Sequence, residues 1–391
     1  MDSATATDRA AGNVKRAFQP LRYQLVFCTP AFVGNAEQNG AWRTPPIKHA
    51  LREWWRVAYA AERQFRVDVQ GMRREEGQLF GNAWLSHREG DREVADHSKS
   101  LVRLRLDRWQ VGELKKGQWP DELLVTHSEV KDREGRSRRI GSMLYLGYGP
   151  LEIQGNTALK KNAAIQANEQ AGLAVAFDPR VDEVNRRRLL HALWLMDRYG
   201  TLGGRSRNGW GSYALEPQPG TPSWETMPGA SPLRPWKQCL ALDWPHAVGQ
   251  DERGALVWQT APHDKWDALM KTLAEVKIAL RTEFGFTVDA QAGDVQRPKG
   301  VEHGKPQQRH WLAYPVTNHG VRPWGKEARL PNQLRFKVRK AAENKLVGIV
   351  FHMPHLPPAA FGPQRHAIEE VWTKVHRFLD QPDQRLTRAQ A

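Results

Sequence analysis

The chain of 391 residues is long for one hydrophobic core and has room for two or three domains. Hydrophobic residues at 40% and aromatics at 9% exclude wholesale disorder, and no apolar run approaches the ~20 residues of a membrane span. Lys and Arg outnumber Asp and Glu by 58 to 43, a net charge of +15, which favours a polyanionic partner without naming it. The polar opening MDSATATDRAAGNVKRA has no secretory character. Cys28 and Cys239 lie far apart and form no CxxC, which disfavours disulfide and zinc scaffolds. A reduced, cytoplasmic protein is the expectation.

In chain order, residues 1–17 read as a flexible tail. LRYQLVFCT (21–29) has strand composition and Pro30 stops it. Thr44 is placed to cap a helix whose first turn holds Pro45. Leu51, Trp54, Trp55, Ala58, Ala61 and Phe65 give that helix an apolar face, with Lys48, Arg52 and Arg56 on a neighbouring stripe. SLVRLRLDRW (100–109) alternates as a strand, and IGSMLYLGYGP (140–150) reads as a short strand between glycines. VDEVNRRRLLHALWLMDRYG is a second helix broken by Gly200, followed by GGRSRNGWG (203–211) and the strand SYAL. PQPGTPSWETMPGASP (217–232) is the best linker. Beyond it WKQCLALDW, HWLAYPV, QLRFKV and KLVGIVFHM read as strands, and HDKWDALMKTLAEVKIALRTEF and IEEVWTKVHRFLD as helices. The repeated order suggests an α+β chain of two domains, 18–216 and 233–385, each with helices on one face of an antiparallel sheet, and a tail at 386–391.

Three basic stretches are candidate sites. Arg136, Arg138 and Arg139 in GRSRR offer donors for phosphate oxygens, or belong to a solvated hairpin loop. In GGRSRNGWG the glycines, among them Gly203, Gly204 and Gly209, permit close backbone approach, Arg205 and Arg207 project, Asn208 sits between them and Trp210, and Trp210 either packs inward or stacks on a base. The helix precedes these glycines, so they are neither a Walker loop nor a dinucleotide fingerprint. Residues 297–345 hold twelve Lys or Arg against three Glu. Their phosphate contacts would add and weaken with salt, though a solvated edge has the same composition.

Catalytic signatures are missing. HExxH and GxSxG do not occur, and His352 and His355 lack the companions of a metal site. His49 can act as a general base in RNA cleavage or simply bond a phosphate, but no partner acid is identifiable. No metal or cofactor is expected.

Taken together, TPAFVGN, RTPPIKHALREWWR, IGSMLYLGYGP and GGRSRNGWGSY resemble the RAMP superfamily of CRISPR proteins. More narrowly they resemble the first subunit of the type III-B, or Cmr, RNA-guided effector. The resemblance is strong over 21–215 and architectural beyond 232. It implies two ferredoxin-like (RRM-like) domains and a non-catalytic subunit on the 3′ side of the guide RNA, helping to hold guide and complementary target RNA beside other Cmr subunits. It carries RNA contact onto Lys48, Arg52, Arg56, Arg205 and Arg207. The alternatives are a guide-processing endoribonuclease built on His49, as in some relatives, and a subunit serving chiefly protein assembly.

Overall fold

The computed structural model describes residues 20–83, 86–95, 97–226 and 229–389, so the expected tail 1–17 lies outside it. The first half builds a four-stranded antiparallel sheet from β1 (Leu21–Phe27), β2 (Val102–Leu106), β5 (Gln170–Phe177) and β6 (Tyr213–Pro217). Its order is β6-β1-β5-β2. The helices α1 (Thr44–Glu62) and α4 (Glu183–Tyr199) pack together on it. Between β2 and β5 the chain adds the hairpin β3 (Leu124–Lys131) and β4 (Ser137–Gly141), then the short helix α3 (Ser142–Gly147). A helix not foreseen in the sequence, α2 (Val69–Phe80), follows α1 and is capped by Asp68, whose carboxylate accepts from Gln70 N.

The second half repeats the scheme. Strands β7 (Val257–Thr260), β8 (Leu334–Lys340), β9 (Leu346–His352) and β10 (Leu386–Arg388) form an antiparallel sheet of order β8-β9-β7-β10. Its helices are α5 (Trp266–Thr282), the short α6 (Gln308–Leu312) and α7 (Arg365–Leu379). Residues 386–388, expected in a tail, are thus an edge strand. Arg388 fixes that strand to Asp251 and Asp380 through bonds of 2.7–3.1 Å.

Local signals predict β1, β2, β6, β8, β9, α1, α4, α5 and α7, whereas the strands β3, β4, β5 and β7 are not foreseen in the sequence. Residues 142–147 are helical because the Glu122 carboxylate accepts from Met143 N at 2.7 Å and Leu144 N at 3.1 Å. WKQC opens a helical turn at 236–239, and HWL closes α6, where strands were expected. α1 begins with Arg43 at its cap position and no side-chain cap bond, so Thr44 lies inside the first turn. Phe65 falls beyond its last turn. The linker is held down: Trp224 stacks on Tyr23 at 5.2 Å and Thr221 Oγ1 donates to Arg22 O at 3.0 Å.

Trp54 and Trp55 are buried, Trp54 stacked on Tyr199 and Trp55 against Tyr59 and Phe80. Two hydrophobic clusters fill the molecule, and each crosses the expected boundary. The first joins the β1 sheet to Val257, Ile349 and Phe351, while the second takes Cys28 and Trp210 into the core of the other half. Lys337 of β8, wholly buried, donates to Met196 O (3.2 Å), Asp197 O (2.5 Å) and Gly200 O (2.8 Å) at the end of α4. A buried ammonium there satisfies carbonyls that the helix itself leaves open and complements its negative end.

Two outcomes follow from this packing. Lys337→Met should cost about 2–3 kcal/mol in urea unfolding, since it orphans buried acceptors of charged hydrogen bonds. The second concerns acid. Burial pushes His191, His246, His310 and His355 down to about 4 and His376 to about 3, and lowers His352 as well. Below pH 6.5 the unfolded chain therefore takes up protons that the folded chain refuses. Their contribution is complete above pH 6.5 and falls on acidification, by about 1.4 kcal/mol per pH unit for each histidine. The urea midpoint should drop steeply between pH 7.5 and 5, and an unchanged midpoint would contradict burial of these rings.

Candidate nucleic-acid interface

The basic stripe of α1 is largely engaged inside the chain. Lys48 Nζ donates to Phe80 O at 3.0 Å and Ser100 Oγ at 2.9 Å, and burial, then the Arg52 charge, lowers its pKa. Arg52 and Arg56 both grip Glu76 of α2, with Nε–carboxylate distances of 2.7 and 2.8 Å. Burial alone would raise the Glu76 pKa; the hydrogen bonds and charges of Arg56 and Arg52 outweigh it and hold the carboxyl below its usual range. The stripe ties α2 onto α1, leaving about a third of each arginine side chain to solvent. His49 is open, 74% exposed, and its nearest charged partner is Glu53 at 3.8 Å.

The glycine-rich loop is set by close backbone approaches. Gly203 has φ +90°, and a Cβ there would stand 2.6 Å from Phe32 O. Gly211, at φ +63°, would bring a Cβ to 1.9 Å from Leu202 O. Gly204 has an ordinary φ, and its Cβ would meet Pro150 at 3.2 Å. Thr29 and Ser212 hydroxyls donate to Gly209 O, both at 2.8 Å. Trp210 is fully buried against Phe32, Trp119 and Trp266, so of its two readings the inward one holds. Arg205 stays exposed, with Nε donating to Tyr148 O at 2.6 Å. Arg207 turns inward, its guanidinium donating to Asn332 O at 3.3 Å. Asn208 donates to Leu146 O at 2.7 Å and accepts from Lys277 Nζ at 2.7 Å.

On one side of this loop opens a groove of about 1390 Å³, walled by the β3–β4 hairpin, α3, α5 and α6. Arg205, Arg207, Lys277, Arg281, Arg309 and Arg329 line it, with Glu129 as the one carboxylate. Arg309 holds Glu129 in a two-bonded fork at 2.5 and 2.8 Å. Burial, then the charges of Arg281 and Arg205, pushes Lys277 down to about 7; burial also lowers Arg281. Cations crowded in this way gain from any anion that enters. Tyr148, 64% exposed, stands at the rim.

Lys277 and Arg281 were not singled out in the sequence, where they sit inside an ordinary amphipathic helix. Their signal is two cations four apart on one face. Arg136 pairs with Asp132 and Glu134, while Arg138 and Arg139 are exposed on β4 itself and not in a loop. On its other side the loop does meet α1. Arg52, Arg56 and Arg207 line a cavity of about 490 Å³, and His49, Gly203 and Arg207 one of about 350 Å³. Lys48 lines neither, and Arg205 faces the large groove instead.

Among the described residues no three His, Cys, Asp or Glu side chains gather into a metal-holding group, and no helix is long and apolar enough to cross a membrane. His352, half of the spaced pair in FHMPH, bonds His376 at 3.0 Å.

No curated protein matches the sequence. Among solved structures the chain is similar to Cmr1 from Pyrococcus furiosus in its apo form, at 15% identity and TM-score 0.40 over 91% of this chain and 96% of that one. It is also similar to chains in two structures of the type III-B Cmr-beta complex bound to cognate target RNA. One, with AMPPnP and in the presence of ssDNA, gives 10% identity and TM-score 0.42 over 92% and 99% of the two chains. The other gives 11% identity and TM-score 0.44 over 91% and 99%. The sequence model of the RAMP superfamily matches residues 24–214. That stretch runs from within β1 to within β6 and spans α1, α4 and the glycine-rich loop, so the likeness to the RAMP superfamily falls on the first half of the chain.

Proposed function

We propose that the chain is a non-catalytic RNA-binding subunit of a type III-B CRISPR effector. In this reading it consists of two ferredoxin-like domains, holds the 3′ side of the guide RNA with its target duplex, and works beside other Cmr subunits. The strand orders, two βαββαβ units with the fourth strand beside the first, support the domain assignment. The RAMP match and the four sequence motifs support the CRISPR assignment.

The observation that carries RNA binding is the imbalance in the large groove, six cations against one carboxylate that is already bonded to Arg309. Phosphates of a polyanion neutralise such a wall, and the released counterions drive association. The exposed ring of Tyr148 beside Arg205 suits stacking of an unpaired base.

Lys277→Ala with Arg281→Ala should weaken single-stranded RNA binding at least tenfold. It should also flatten the slope of log affinity against log salt by about 1.4, for two lost phosphate contacts. Lys48→Ala should change stability more than affinity, because its bonds run to α2 and Ser100. Unaltered RNA affinity in the groove variant, measured in the assembled effector, would contradict the groove. Labelled precursor RNA should survive incubation with the protein; cleavage abolished by His49→Ala would replace this reading with a guide-processing ribonuclease. RNA crosslinks confined to other subunits would favour the assembly role.

The loop supplies a backbone test. Gly203→Val places a branched side chain at positive φ and against Phe32 O, whereas Gly204→Val meets only the edge of Pro150. RNA engagement should fall clearly further in the first variant than in the second, compared at matched folding by circular dichroism.

A further inference from the structure

β8 presents Arg335, Lys337 and Arg339 on one face, alternating with Phe336 and Val338 on the other. Lys337 is fully bonded, but Arg335 is not. Its Nε is buried with no acceptor, and no hydrogen bond or ion pair engages its guanidinium among the described residues. It shares two cavities with Arg207, whose like charge repels its own, and the carboxylate whose charge acts on it is Glu53. Both arginines line the cavity of about 490 Å³ between α1, α2 and the second half. Trp244 lines it as well, and its Nε1 is a second buried donor lacking an acceptor. The rest of the wall mixes apolar residues, chiefly Trp54, Met72 and Met353, with charged ones: Glu76 held between Arg52 and Arg56, and Glu53 and Arg73.

Orphaned buried donors and neighbouring buried cations are costly, and an anion bound between them would complete both. The volume is that of a small-molecule site, not of a strand passing through. We infer that this cavity binds the phosphate monoester of a single nucleotide, with Arg207 and Arg335 forking the phosphate and the part of the wall formed by Trp54, Trp244 and Met353 receiving the base. The cavity lies on the other side of the glycine-rich loop from the large groove. Arg207 belongs to both, so the nucleotide is either free or the phosphorylated end of an RNA strand seated in the groove.

The full chain is titrated by calorimetry with 5′-AMP, adenosine and inorganic phosphate, and then with one RNA oligonucleotide carrying or lacking a terminal phosphate at either end. Arg335→Met is the partner variant, chosen because it keeps volume and removes a charge that no described residue pairs. Its unliganded melting temperature should equal or exceed that of the parent. 5′-AMP should bind the parent at least tenfold more tightly than adenosine does, and Arg335→Met should lose at least tenfold of that affinity. Tighter binding of a phosphorylated RNA end that depends on Arg335 assigns the site to a strand terminus; 5′-AMP binding without that preference assigns it to a free nucleotide. If neither 5′-AMP nor an RNA end depends on Arg335, the inference fails. Dephosphorylated RNA reads the groove alone, so failure there is distinguishable.

Discussion

The contact on which the rest of this structure depends is made by β8 on the glycine-rich loop. β8 is an edge strand, with one side free of sheet partners. Three successive residues use that freedom. Phe336 N donates to Arg207 O at 3.0 Å, Lys337 Nζ collects the carbonyls ending α4, and Val338 N donates to Ser212 Oγ at 2.8 Å. The loop is pinned at its start, its tip and its end. An exposed edge is an aggregation liability, and here the other half of the chain covers it. The same bonds fix Arg207 between the large groove and the smaller cavities.

This arrangement explains why so many positive charges are not simply displayed. Lys337 neutralises a helix terminus, Arg52 and Arg56 cross-link two helices through Glu76, and Arg188 reaches Glu62 and Glu75 from α4. Each is an internal use of charge, charge-assisted and therefore stronger than a surface pair. Net charge over-reports the binding surface for that reason. The groove stands out by its deficit of acids, not by its number of arginines.

The α+β pattern was legible from β1, β2, β6, β8 and β9, which alternate or run apolar, and from α1, α4, α5 and α7, which have clear faces. Strands β5, β7 and β10 were not, and the strands expected at 140–150 and in WKQCLALDW are helical at 142–147 and 236–239. Spacing with Leu51 and Ala58 puts Trp54 and Trp55 on the apolar face of α1, and both are buried there. What was not legible depended on residues distant in sequence. Glu122 makes a helix of 142–147 from 20 residues away, and nothing within SMLYLG announces it. The α1 stripe looked like a phosphate cradle because its counter-charge, Glu76, lies in a polar helix with no strong apolar period. Asp68 at the cap was the available signal for that helix, and it is a weak one. Lys277 and Arg281 were passed over because a helix is read by its apolar face, whereas their meaning comes from the wall opposite.

The RAMP-like half is not complete by itself. Trp210 closes the glycine-rich loop, yet the rings and chains around it include Trp266 and other members of the second cluster. Cys28, next to the end of β1, lies in that same cluster. Removing the second half would expose this apolar surface and leave the last carbonyls of α4 unbonded at the point where the loop begins. The loop would then keep its glycines but lose the strand that shapes it. Sequence likeness confined to 24–214 therefore locates the loop, while its geometry is set by residues 334–340 of the half that the likeness does not cover.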